Sequence, residues 1–70
     1  MTGNGAWPRT VDGIRADARV LSLEWCPSER HWWCELADGY ATDGGRGQGC
    51  FAERTVREVR EFLVTVGDIR

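Results

Sequence analysis

The chain has 70 residues, of which 41% are hydrophobic and 29% are charged, and its formal net charge is -2. Such a chain makes at most one domain with a thin core, because it buries only about 60% of the surface that its unfolded form exposes. Its nine basic residues are all arginines and form no basic run, which argues against a nucleic-acid partner. The absence of a leader pattern and of a long apolar run predicts a cytoplasmic protein with no membrane partner.

Residues 1–17 are rich in Gly, Asn, Asp and Thr and have few apolar anchors. This composition predicts an irregular N-terminal arm. Three roles remain open for Trp7 in this arm: it folds back onto the sheet, together with Pro8 and Val11, it is left for a partner, or it belongs to a frayed end, which is the favoured interpretation.

Residues 20–36 contain two runs rich in aliphatic and aromatic residues, separated by Pro27, Ser28, Glu29 and Arg30. This arrangement predicts a β-hairpin with the polar tetrapeptide as its loop. The register then places four pairs of residues opposite each other: Cys26 and His31, Trp25 and Trp32, Leu23 and Cys34, Leu21 and Leu36.

Side chains along a strand point alternately to opposite faces of the sheet. One face of the hairpin is therefore expected to pack on the core and to carry Leu21, Leu23, Trp25, Trp32, Cys34 and Leu36. The other face is expected to carry Val20, Ser22, Glu24, Cys26, His31, Trp33 and Glu35. This second face is mostly polar, with one large aromatic in its middle.

The third strand has two alternative positions, both antiparallel to the second strand. Either Asp38 and Gly39 form a tight turn and the strand begins at residues 40–42, or the second strand runs on towards Asp43 and the third strand is 49–53. Residues 44–49, GGRGQG, suggest a phosphate-binding loop, but they match neither common glycine-rich spacing. A flexible connection is the favoured interpretation.

Thr55 and Glu58 have the spacing of a capping box, which predicts the start of a helix. At about 100° per residue, one apolar face follows. Gly67 is expected to end the helix. The apolar face consists of Val56, Val59, Phe62, Leu63 and Val66.

These elements predict an α+β fold in which a three-stranded antiparallel sheet carries one C-terminal helix on one face, a two-layer β-β-β-α arrangement. The expected organisation is an arm over residues 1–17, a domain over 18–67 and a tail over 68–70. One helix covers only one face of the sheet, so Trp33 projects from the other. It must be covered by the arm, by a second copy or by a partner.

Cys26, His31, Cys34 and Cys50 are the only set that resembles zinc ligands. Their spacing lacks the usual C-x-x-C pattern, and the hairpin register places Cys34 on the face opposite Cys26 and His31. A single cysteine–histidine pair lies across the predicted hairpin, and neither an orienting third group nor an oxyanion site is evident beside it, so nucleophilic catalysis is not supported. The sequence therefore predicts a protein that is not an enzyme and has no cofactor.

The hairpin resembles the N-terminal domain of HicB-like antitoxins and their small stand-alone relatives. The resemblance covers about residues 20–66 and rests on two motifs: Glu24-Trp25-x-Pro27-x-Glu29-x-x-Trp32, and Gly49-Cys50-Phe51-Ala52-Glu53 followed by Thr55-Val56-Arg57-Glu58. It implies a partial ribonuclease-H-like β-β-β-α fold, frequent dimerisation and neutralisation of a small ribonuclease toxin by direct binding. Two features depart from the family: residues 37–49 are longer and richer in glycine than its usual link, and the DNA-binding domain that some members carry after this unit is not expected.

The sequence thus predicts a small interaction module that binds a protein partner, such as a small toxin, or forms a homodimer. The expected partner-binding residues are Trp33, Glu24, Glu35 and His31. Two alternatives come from other classes: a small zinc-stabilised domain, and an inhibitor encoded by a phage or mobile element that blocks a nucleic-acid-binding enzyme.

Overall fold

The fold is that of a computed structural model, which describes residues 10–69. The predicted contacts of Trp7 and Pro8 lie outside these residues. Within these residues the helices are α1 (Val11–Arg15) and α3 (Val56–Leu63), and a short kinked segment, α2 (Thr42–Gly45), has two residues with non-helical backbone angles. The strands are β1 (Val20–Cys26), β2 (His31–Leu36), β3 (Tyr40–Ala41), β4 (Cys50–Glu53) and β5 (Gly67–Asp68).

Strands β1, β2 and β4 form an antiparallel sheet in that order, and β3 pairs with β5 in a separate two-stranded ladder. The predicted α+β class with a three-stranded antiparallel sheet is confirmed. The third strand of the main sheet is β4, at the second of the two predicted positions. Tyr40 and Ala41, which follow Asp38 and Gly39, pair instead with β5, and β2 ends at Leu36 without reaching Asp43.

The hairpin register is confirmed at the loop end, where Cys26 faces His31, and is wrong at the other end. Val20, not Leu21, lies opposite Leu36, because the register shifts between Val20 and Ser22. Such a bulge places one extra residue on one strand. Val20 is consequently buried, at 8% exposure, whereas Leu21 is 69% exposed. Alternation predicts the reverse, with Leu21 on the core face and Val20 on the other face.

Helix α1 lies within the segment predicted to be irregular. The Thr10 side chain caps this helix by accepting a hydrogen bond from the Gly13 amide at 3.0 Å. Ile14 follows one turn after the cap and is fully buried. A cap and one buried side chain therefore order a stretch whose composition is typical of a loop.

Helix α3 starts where the capping pattern predicts. The Thr55 hydroxyl accepts a hydrogen bond from the Glu58 amide and also donates one to the Glu58 carboxylate, both at 3.1 Å. The helix ends at Leu63, earlier than predicted. Arg19 Nη1 donates a hydrogen bond to the Leu63 carbonyl at 2.8 Å, and Gly67 belongs to β5 instead of terminating the helix.

The buried core combines residues from the sheet with residues from both α1 and α3. The prediction of one C-terminal helix is therefore incomplete, because α1 also contributes to the core. The buried cluster comprises Ile14, Val20, Leu23, Cys34, Leu36, Phe51, Val59, Leu63 and Val66. Phe62 packs against this cluster, and its ring stacks on Phe51 with centroids 4.5 Å apart.

The glycine-rich connection forms a hydrogen-bonded turn, not a loose connection. The Thr42 hydroxyl accepts a hydrogen bond from the Gln48 amide at 2.8 Å, and the Thr42 carbonyl accepts one from the Gly47 amide at 2.7 Å. Asp43 and Gly44 both have left-handed backbone angles. These hydrogen bonds to Thr42 hold residues 42–48 in a closed turn, after which the chain re-enters the sheet at β4.

Candidate functional site

The candidate site is the face of the main sheet that points away from the buried cluster, here named the open face. Its members follow from the strand register, since side chains alternate along each strand. They are Ser22, Glu24 and Cys26 on β1, His31, Trp33 and Glu35 on β2, and Cys50 and Ala52 on β4. Partner binding by this face is a prediction, and the structure provides its geometry.

Trp33 occupies the middle of the open face. It lies on the central strand, opposite Glu24 on one side and Ala52 on the other, and its exposed fraction is 39%. Alanine is too small to cover an indole ring. An aromatic side chain this large therefore remains accessible at the centre of a sheet rather than at its rim.

Two carboxylates lie beside Trp33. Glu24 faces it from β1 with a side chain that is 71% exposed, and Glu35 is exposed two residues further along β2. Glu24 has one weak ion pair, 3.9 Å from Arg15 Nη2. Within the described part of the chain, the Glu35 side chain has no hydrogen bond or ion pair. The open face is therefore acidic around its aromatic centre.

Arg15 lies at the edge of this face. The sequence predicts that this residue belongs to the irregular N-terminal arm. Its guanidinium donates two hydrogen bonds to the Leu23 carbonyl, from Nε at 3.0 Å and from Nη2 at 2.8 Å. Strand β1 is an outer strand of the sheet, and its outward carbonyls otherwise have no partner strand. Arg15 thus satisfies part of this exposed edge, and only the presence of α1 brings it there.

His31 lies next to Trp33 on the open face, with ring centroids 6.3 Å apart and an interplanar angle of 32°. It also borders a shallow depression of about 400 Å³. The other residues around this depression are Glu29, Arg30, Ala52, Glu53, Arg54 and Glu58. The structure therefore brings all four predicted partner-binding residues to one surface, and adds Ala52 as a neighbour of the indole.

Trp25 was expected on the core side of the hairpin, and it is 44% exposed. It packs edge-on against Trp32, with centroids 5.5 Å apart. Trp25 lies at the loop end of an outer strand, whereas the buried sheet residues Leu23, Cys34 and Phe51 lie further from the loop. The buried core does not extend far enough towards the hairpin loop to cover Trp25.

The four candidate zinc ligands do not form a ligand set. Cys34 is fully buried in the core, while Cys26 and His31 pair across the hairpin. Among residues 10–69, no group of three or more metal-binding side chains has suitable geometry. Burial raises the pKa of the Cys34 thiol to about 11, so this group stays protonated and packs as a small apolar side chain.

Comparisons of the chain with protein-family models, with curated proteins and with solved structures found no match. Within residues 10–69, no helix is long and apolar enough to cross a membrane.

Proposed function

We propose that this chain is a small, cytoplasmic, non-enzymatic interaction module that binds a protein partner through its open face. In this proposal it acts in the manner of a HicB-like antitoxin domain, and the partner is a small toxin. Trp33 forms the centre of the contact, with Glu24, Glu35 and His31 around it.

The observation that carries the proposal is the exposure of Trp33 in the middle of a sheet face. Tryptophan is enriched at the centres of protein interfaces because it buries a large apolar area and fixes few rotatable bonds. Here the indole is 39% exposed, with the small side chain of Ala52 on one side.

The two-layer β-β-β-α organisation belongs to the same proposal. Its support is that Leu23, Cys34 and Phe51 of the sheet share a buried cluster with Val59 and Leu63 of α3. Burial on this side of the sheet directs the polar and aromatic side chains of the other side outwards. The resulting asymmetry is what makes one sheet face available for a partner.

The test is the substitution Trp33→Ala. We expect it to abolish self-association, measured by sedimentation, or co-purification with the protein encoded beside this chain. We expect the far-UV circular dichroism spectrum to stay nearly unchanged, because the side chain lies outside the buried cluster. Collapse of the fold in this variant would place Trp33 in the core and would contradict the proposal.

Trp25→Ala is the matched control, because it removes the same side chain from an exposed position on the other side of the hairpin. We expect this variant to retain the partner, with some loss of stability from the lost contact with Trp32. Equal loss of binding in both variants would show that the effect is not specific to the open face. A large nucleic-acid-processing enzyme as the co-purified protein would favour the inhibitor alternative.

A further inference from the structure

We propose that the open face selects a basic segment of its partner, with an arginine side chain stacked on Trp33 between Glu24 and Glu35. This inference rests on the proposed function and specifies the chemistry of the partner. It commits the face to a cationic protein segment instead of a second copy of the chain.

The first support is the distribution of charge. The chain contains nine arginines, yet none of the eight positions of the open face is an arginine, and two of them are glutamates. The centre of this face is therefore acidic, and arginines border it only at its margins: Arg15 beside Glu24, and Arg30 and Arg54 around the depression next to His31. Complementary charge across an interface steers association and rejects partners of the same sign.

The second support is the arrangement of the two carboxylates around the indole. In an antiparallel pair, residues directly opposite lie about 4.5 to 5.5 Å apart at Cα, which places Glu24 beside Trp33. Glu35 follows at about 6.6 Å along the same strand and points to the same side. A guanidinium group is planar, so it stacks on an indole face while its N–H groups donate to carboxylates at its rim.

The existing ion pair leaves this site accessible. Arg15 Nη2 is 3.9 Å from the Glu24 carboxylate, the limit of an ion pair, and the same nitrogen already donates to the Leu23 carbonyl at 2.8 Å. Both side chains are solvent-exposed, at 45% and 71%. Exposed pairs of this kind are weak, so a partner arginine can share Glu24 without displacing Arg15 from the sheet edge.

A second copy fits the open face less well. In a twofold dimer the same patch meets itself, which brings the glutamates of both copies around two adjacent indoles. Like charges that face each other across paired surfaces are destabilising. Arg15 at the edge of the face offsets little of this repulsion, because its Nη2 already donates to the Leu23 carbonyl and lies 3.9 Å from Glu24.

The experiment uses the whole chain and two defined probes. The peptide acetyl-Arg-Thr-Arg-amide and its acidic counterpart acetyl-Glu-Thr-Glu-amide are titrated separately into isotope-labelled protein, and amide and indole N–H shifts are recorded by NMR. We expect the basic peptide alone to shift the Trp33 indole N–H and the amides of Glu24 and Glu35. Its affinity should fall as salt rises from about 20 to about 300 mM, because exposed charges are screened.

Two variants with the same change in net charge complete the test. Glu35→Gln should weaken basic-peptide binding about threefold, the range of an exposed ion pair. Glu61→Gln removes a glutamate from α3, away from the open face, and should leave binding unchanged. Equal weakening in both variants, or shifts away from Trp33, would overturn the inference.

Two further outcomes separate this inference from the proposed function. If both peptides bind equally at Trp33, the open face is a docking surface without charge selection, and only the inference fails. If the Trp33 resonances change with protein concentration alone, the occupant is a second copy, and again only the inference fails. Unchanged self-association and partner co-purification in Trp33→Ala would instead contradict the proposed function itself.

Discussion

Asp17 and Arg19 form a largely buried ion pair, with 15% and 18% of their side chains exposed and an N to O distance of 2.9 Å. The Arg19 hydrogen bond lowers the pKa of the Asp17 carboxyl below its ordinary value of 3.8, although burial opposes this effect. Arg19 also bonds to the Leu63 carbonyl. The pair therefore connects the start of β1 to the end of α3.

This pKa shift predicts a pH dependence of stability. Because the pKa of Asp17 is lower in the folded chain than in the unfolded chain, the contribution of the pair is complete well above pH 3.8 and is lost as pH falls through the folded pKa. We expect Asp17→Asn to lower the free energy of unfolding by about 1.5 kcal/mol at neutral pH, the value of a hydrogen bond to a charged group. Urea unfolding at several pH values measures this difference.

The difference between Asp17→Asn and the unmodified chain should begin to shrink as the pH falls towards about 4, where the carboxyl group of the unfolded chain takes up a proton. It should be lost once the pH is below the lowered pKa of the folded chain. Asp38→Asn is the control, because Asp38 is exposed in a turn. It should have little effect on stability. A stability difference for Asp17→Asn that is constant from neutral to acidic pH would show that the carboxylate charge does not matter.

The candidate site illustrates how far individual residues can be placed from sequence. Alternation along β2 is a local rule, and it correctly assigns Trp33 and Glu35 to the same face. Exposure is different, because it depends on what packs above a residue. Trp25 is on the expected side of the hairpin and still 44% exposed, since the buried core does not extend to the loop end of β1.

At the scale of single elements, the β-bulge in β1 is the feature that alternation could not predict. A period-two pattern fits Leu21 and Leu23 equally well as core residues. The bulge reverses the outcome for one of them, because it inserts an extra residue before the regular part of the strand. Val20 fills the position opposite Leu36 that Leu21 had been expected to occupy.

The paired substitutions Leu21→Ala and Leu23→Ala test this geometry. Leu23 is fully buried, so its truncation should cost about 3 kcal/mol through lost burial and a residual cavity. Leu21 is 69% exposed, and its truncation should change the free energy of unfolding by less than about 0.5 kcal/mol. Both values come from denaturant unfolding, and similar losses for the two variants would place Leu21 in the core.

Helix α3 has a start that is determined by neighbouring residues and an end that is determined by distant contacts. Its start is determined locally, because the Thr55 hydroxyl satisfies an amide three residues ahead. Its end is determined by distant partners: Arg19 bonds to the last carbonyl, and the following residues pair with β3. A pattern of apolar residues continues through Val66, so periodicity alone predicts a longer helix.

At the scale of the whole molecule, the chain near its C-terminus closes against the glycine-rich connection. The Gly44 amide donates to the Thr65 carbonyl at 2.7 Å, and Gly67 lies so close to Gly44 that a methyl group on Gly67 would meet the Gly44 carbonyl carbon at 2.5 Å. Two glycines far apart in sequence thus permit one backbone to approach another. This contact ties the β3–β5 ladder to the turn before β4.

We expect Gly67→Ala to destabilise the fold by about 2 kcal/mol, because the added methyl group meets backbone atoms that cannot rotate away. Gly49→Ala is the matched control, since a methyl group there meets open space. It should change the unfolding free energy by less than about 0.5 kcal/mol. Thermal or urea unfolding distinguishes the two variants, and equal stability would contradict this close approach.

The sequence by itself determined the features that depend on neighbouring residues: the hairpin loop, the alternation that gathers Trp33, Glu24, Glu35 and His31, and the cap of α3. These features follow from strand geometry and from hydrogen bonds spanning three residues. The tertiary structure decided which strand completes the sheet, how α1 joins the core and where α3 ends. Those outcomes depend on contacts between distant segments, such as Arg19 with Leu63 and Gly44 with Gly67. A pattern of neighbouring residues does not predict which distant segments come together.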